Sequence, residues 1–317
     1  MNEPDTSAPD ARLGTAPGRR RADLMDPIAL SEVGGLEFIA REVVEGFYMG
    51  LHRSPHRGFS AEFAEHRAYQ AGDDLRYIDW RMYGRSDRFY VKQFEEETNL
   101  RAYLLLDNSL SMAWTSQPET LATKSWYAKH LLACIALLLL GQGDLVGFAS
   151  FHHEIQARLA PSGGRKQWHE IIRRVSPLEP AGLTSPHSAL RDIAGRLRRR
   201  GLVVLLSDLL IDPEETRLAL RFLKHYGHEV LVFHILDPGE RELPPAGDVR
   251  FFDPESRDEI QISVPDMRRE YRDAVESAIA EWERATKPYG IDYCMLETSQ
   301  PFSLALRAYL RKRQRLG

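Results

Sequence analysis

Cysteine is scarce in this chain: two in 317 residues, Cys134 and Cys294, each inside an apolar run. That scarcity excludes a disulfide framework and leads us to expect buried free thiols in a reducing compartment. Long hydrophobic runs are missing as well. The most apolar stretch, 131–140, is ten residues long, well short of the roughly 20 that a membrane-spanning helix needs. The polar beginning, MNEPDTSAPDARLGTAPGRRR, contains no apolar segment of the secretory kind. A cytoplasmic protein without a membrane span is the expectation. No Gly-x-x-x-x-Gly-Lys-[Ser/Thr] loop is present, so the chain itself is not expected to hydrolyse ATP.

Charge of one sign is not in excess either. Against 42 Lys and Arg stand 46 Asp and Glu, a net charge of −4, and no whole-molecule field draws nucleic acid or an anionic membrane. Basic clusters at Arg19-Arg20-Arg21, Arg198-Arg199-Arg200 and Arg311-Lys312-Arg313 read as a tail and two helix C-termini, where cations complement the helix dipole. His52/His56 and His225/His228 have metal-like spacing, but no Cys or acidic cluster stands beside them, so surface or satisfied histidines are expected.

Three regions follow from what is there. Residues 1–26 are rich in Pro, Gly, Ala and charge without periodicity and are expected to be disordered. Residues 27–99 begin with apolar positions Ile39, Val43, Val44 and Phe47 at helical spacing, predicting one or two amphipathic helices. A dense polar stretch with single aromatics follows, predicting a loop-rich segment packed on a sheet. Its Asp73, Asp74 and Asp79 admit a nuclease-like metal reading, but Gly-Asp-Asp more commonly serves turns and ion pairs.

Residues 100–317 alternate apolar runs with helical patterns. Strands are predicted near 101–106, 144–159 (a hairpin), 202–206, 230–236, 249–252, 259–264 and 291–296. The near-continuous run Leu202-Val203-Val204-Leu205-Leu206 marks a strand covered on both faces. Strand–helix alternation predicts an α/β fold with a doubly wound, mostly parallel sheet, preceded by a helical, loop-rich extension.

Ligands of such sheets bind beyond the carboxyl ends of the strands. The first strand ends in Asp107-Asn108-Ser109-Leu110-Ser111 and another in Ser207-Asp208, with Thr184 in a Gly-containing loop between them. Asp107, Ser109, Ser111, Thr184 and Asp208 offer only oxygen, which selects a hard cation, Mg2+ first, with Mn2+ or Ca2+ as alternatives. The bland alternative is that both acids merely cap the following turns. A third reading makes Asp107 the nucleophile of a metal-dependent phosphohydrolase or phosphotransferase. Two residues on, however, stands Ser109 and not the acid that general acid/base work needs.

These five residues, with Ala189-Leu190 after Thr184 and Leu205-Leu206 before Ser207, resemble the metal-ion-dependent adhesion site of von Willebrand factor type A domains. The resemblance implies a six-stranded, mostly parallel sheet with one antiparallel edge strand. It also implies a Mg2+ site that binds acidic side chains without catalysis. Two positions depart from the pattern: Leu209 stands where Gly usually follows the last Asp, and Gly182-Leu183 replaces Gly-Gly.

The polar stretch is similar to the signature of the prokaryotic domain of unknown function 58 family. The matching residues are Arg53-Ser54, Arg57-Gly58, Glu62-Phe63, Arg67, Tyr69, Gly72-Asp73-Asp74, Arg76, Ile78-Asp79-Trp80 and Glu95-Glu96-Glu97. That resemblance implies a MoxR-type AAA+ ATPase as partner, together with a client protein.

Overall fold

The structure is a computed structural model. It describes residues 27, 30, 35–52, 66–69, 80–86, 88–92, 100–182, 186–197, 199–210, 213–243, 247–252 and 259–315. The tail 1–26, the candidate acids Asp73, Asp74 and Asp79, and Thr184 lie outside these or, as with 27–99, partly so.

A six-stranded sheet forms the centre. Its strands are β3 (Arg101–Asp107), β4 (Leu145–Phe151), β5 (Ile155–Ser162), β6 (Leu202–Ser207), β7 (Glu229–Leu236) and β10 (Asp292–Glu297). Their spatial order is β10-β7-β6-β3-β4-β5, every pair parallel except β4 with β5. The expected doubly wound sheet is therefore present, with the antiparallel edge strand supplied by the 144–159 hairpin. β3 and β6, neighbours at the centre, are apolar on both sides because both faces are covered.

Alternation along β3 sorts its side chains. Ala102, Leu104 and Leu106 join one core cluster; Tyr103 and Leu105 join the other. The first cluster receives α1 (Leu36–His52), α3 (Lys124–Gly141), α4 (Gly164–Val175) and α9 (Phe302–Gln314). The second receives α5 (Pro186–Arg196), α6 (Pro213–His225) and Trp282 of α8 (Val264–Thr286). α3 lies between the sheet and α1, which explains the ten-residue apolar run: a helix apolar all round is one covered all round. Among the described residues no helix is long and apolar enough to cross a membrane.

α1 buries Ile39, Ala40, Val43, Val44 and Phe47 against α3, while Arg41 and Glu37 pair on its outer face at 2.8 Å. The described residues of the polar stretch include regular elements. A two-stranded ladder, β1 (His66–Ala68) with β2 (Tyr90–Lys92), brackets α2 (Trp80–Ser86). Tyr83 stacks on Phe89 with ring centroids 4.4 Å apart. Trp80 is no buried anchor, being 63% exposed. Strands of three residues among interleaved charges carry no readable period, which is why the ladder was not predicted.

A small hairpin of β8 (Asp248–Phe252) and β9 (Glu259–Ser263) precedes α8, and the one-turn α7 (Pro238–Arg241) follows β7. Two sequence expectations need adjustment. Cys294 is partly exposed, whereas Cys134 is buried as expected. α5 ends at Arg196, so Arg199 and Arg200 lie beyond the helix and do not form its last turn. Arg311, Lys312 and Arg313 do form the last turn of α9, as expected, and Lys312 there is buried and pairs with Glu229 at 2.6 Å and Asp292 at 2.8 Å.

Candidate functional site

β3 and β6 are parallel neighbours and deliver both carboxylates to the same end of the sheet. Asp107, Ser109 and Asp208 are fully buried or nearly so. Asp107 Oδ1 accepts the Ser109 N–H at 3.0 Å, and its Oδ2 accepts the Ser207 hydroxyl at 2.6 Å. The Ser109 and Ser111 hydroxyls are 3.1 Å apart. Burial, and after it the charge of Asp208, push the Asp107 carboxyl up to about 6. Two buried acids this close disfavour each other's ionisation unless a cation intervenes.

Asp208 has a cation of another kind. Its Oδ2 accepts the Lys124 ammonium at 2.8 Å, and its Oδ1 accepts the Leu210 N–H at 3.2 Å. Lys124 also pairs with Glu240. Lys124 opens α3, one residue after Thr123, whose side chain caps the helix by accepting the Trp126 N–H. Glu240 belongs to the α7 capping box: its Oε2 accepts the Asp237 N–H at 2.9 Å. Asp237 in turn accepts the Ser116 N–H at 3.1 Å. The segments that follow β3, β6 and β7 are thus tied together around one ammonium.

Leu209, in the place where the adhesion-site pattern has Gly, takes a left-handed backbone at φ 51°. For a non-glycine residue that costs about 1–2 kcal/mol. The Leu209 side chain is buried in the second core cluster, a gain of about 1.5–3 kcal/mol that offsets the strain. Its N–H donates to Ser207 Oγ at 3.0 Å, completing a relay from Leu209 through Ser207 to Asp107.

The loop leading to Thr184 is tied to the β3 turn on its near side. Ala181 N–H donates to the Asn108 carbonyl at 3.0 Å and Leu110 N–H to the Gly182 carbonyl at 3.3 Å. Gly182 has φ 75°, and a Cβ there would stand 3.1 Å from the His152 ring, so glycine suits both the backbone and the space.

Four of the five expected ligands, Asp107, Ser109, Ser111 and Asp208, therefore occupy the ends of two adjacent strands, and Thr184 lies outside the described residues. Sequence reasoning missed Lys124 and Glu240 as members of the site. No local pattern marks either one: a lysine at a helix start and a glutamate in a capping box are ordinary residues brought in from distant segments. Among the described residues no group of three or more His, Cys, Asp and Glu side chains is arranged to hold a metal. His228, which the sequence paired with His225, is buried edge-on to Tyr103, whereas His225 is exposed.

The donor set fits a small hard cation. An octahedral ion with bonds of about 2.1 Å needs adjacent oxygens about 3.0 Å apart, close to the Ser109–Ser111 separation of 3.1 Å.

These features define an α/β protein with a compact oxygen-rich cluster at the carboxyl end of a doubly wound sheet. Residues 65–283 match the family described as "Protein of unknown function DUF58", and the chain belongs to that family. An uncharacterized protein of Mycobacterium tuberculosis, Rv1480, is 29% identical over 303 residues, 94% of each chain. Among solved structures, an aerotolerance-related membrane protein from Bacteroides fragilis is similar at 16% identity and a TM-score of 0.48, over 68% of this chain and 99% of that one. BatB from Bacteroides thetaiotaomicron is similar at 14% identity and a TM-score of 0.45, with the same coverage. The fold class stated above rests on the sheet's own topology.

Proposed function

We propose that this protein is a non-enzymatic, metal-dependent interaction module. Ser109, Ser111 and Thr184 would hold a Mg2+ ion by their hydroxyls, with Asp107 supplying charge beside it and Asp208, paired with Lys124, completing the set. When bound, the ion would present an open coordination position to an acidic side chain of another protein. The observation that carries this reading is the convergence of Asp107, the Ser109–Ser111 hydroxyl pair and Asp208 at two adjacent strand ends.

The same geometry speaks against catalysis. Both Asp107 oxygens are engaged by hydrogen-bond donors, and the residue two positions on is a serine, which favours binding over a nucleophile working with a general acid. Two large apolar side chains stand exposed close by in sequence: Trp114, three residues after Ser111, and Leu210, two after Asp208. Exposed aromatic and aliphatic groups near a charged site suit a protein partner better than a small molecule.

Following the resemblance to the domain of unknown function 58 family, the partner is a MoxR-type AAA+ ATPase, and the protein is an adaptor between it and a client. Pull-down of that ATPase with the wild-type chain is expected to depend on Mg2+. It should be lost with EDTA and in Asp107→Ala or Asp208→Ala. Equal capture under all these conditions would remove the proposal.

A further inference from the structure

Lys124 is costly where it stands. A cation in the first turn of a helix opposes the positive end of the helix dipole, and its side chain is fully buried. Its ammonium is held between two carboxylates, that of Asp208 at 2.8 Å and that of Glu240. The side chain therefore places a positive charge beside a cluster that the Asp107 and Asp208 carboxylates would otherwise make negative. Each oxygen of Asp208 already has a donor, one from Lys124 and one from the Leu210 amide. Among the described residues, that leaves Asp107 as the carboxylate of the cluster not paired with a cation.

We propose that Lys124 is the charge-setting residue of the site: fixed between Asp208 and Glu240, it neutralises the β6 carboxylate and holds the affinity for a divalent cation low. This inference rests on the metal-site reading above and deepens it. A cation bound among hydroxyls and one uncompensated carboxylate remains short of negative charge. It therefore favours a further carboxylate from outside the chain. Glu240 acts in the opposite direction. It shares the ammonium, and without it the full positive charge of Lys124 falls on the site.

Two isosteric changes should therefore move Mg2+ affinity in opposite directions. Isothermal titration with Mg2+ alone, repeated with Mn2+, is expected to show about tenfold tighter binding in Lys124→Met and about threefold weaker binding in Glu240→Gln. Lys124→Arg, which keeps the charge, should stay within about twofold of wild type. A merely structural role for Lys124 predicts weaker binding in Lys124→Met and no change in Glu240→Gln, and either result overturns the inference. Should Lys124→Met fail to fold by circular dichroism, Glu240→Gln decides alone: weaker binding supports the inference, and unchanged or tighter binding overturns it. Asp107→Ala separates the two levels of argument. Equal Mg2+ binding, or none, in wild type and Asp107→Ala removes the metal site and the inference together. Binding that depends on Asp107 but is indifferent to Lys124 and Glu240 removes the inference alone.

Discussion

The ends of β3 and β6 carry the same group in nearly the same setting and solve its burial in different ways. Asp107 and Asp208 each direct Oδ1 to the amide two residues ahead, Ser109 in one case and Leu210 in the other. Those are the local turn bonds that the bland reading of the sequence expected. The difference lies in Oδ2: Asp107 receives a neutral hydroxyl from Ser207, whereas Asp208 receives the Lys124 ammonium. A neutral donor satisfies the hydrogen-bonding capacity of a carboxylate and leaves its charge in place. An ammonium removes both. The β3 end is thus the one left with charge for a metal ion, and the β6 end is the one locked into the frame.

Breaking the Asp208 side should have the largest effect. Lys124→Ala leaves the buried Asp208 and the partly buried Glu240 without their cation, and unfolding in urea at pH 7 is expected to show a loss of about 3–5 kcal/mol. His130 offers a buried ionisable group away from both strand ends. Burial lowers its pKa to about 4, with the Lys129 charge adding to the effect against a hydrogen bond to the Trp126 carbonyl. The unfolded chain takes up a proton below about 6.5, while the folded chain resists until about 4. Stability from this group is therefore complete above pH 6.5 and falls by about 3 kcal/mol on the way to pH 4. In His130→Phe, the stability difference between pH 7 and pH 4.5 should be smaller than in wild type by nearly that amount.

Breaking the Asp107 side should cost less. Ser207→Ala removes one hydroxyl donor and leaves the Ser109 amide in place, an expected loss of about 1–3 kcal/mol in the same urea measurement. A value equal to that of Lys124→Ala would erase the distinction between the two ends. The smallest effect is expected for Leu209→Gly, where relief of the left-handed backbone partly offsets the lost side-chain burial. A net loss of about 1 kcal/mol, with Mg2+ affinity unchanged, would show that the leucine serves packing and not the site.

Most of the sheet was legible because its strands are short continuous apolar runs: 202–206 and 230–236 can be little else once helices flank them. Asp107 and Asp208 were legible for the same reason, since each terminates such a run. Lys124 and Glu240 were not. Their meaning depends on contacts 84 and 116 residues apart in sequence, which no local pattern reveals. Leu209 illustrates a different limit. The sequence showed a missing glycine, but only the backbone shows that leucine adopts a left-handed conformation with its side chain in the core.

Calorimetric titration of Mg2+ into the wild-type chain and into Asp107→Ala at pH 7 tests the account most directly. Saturable binding of one ion in wild type, abolished in the variant while its circular dichroism is unchanged, is the predicted result. Identical heats in the two proteins, or no binding in either, would contradict it.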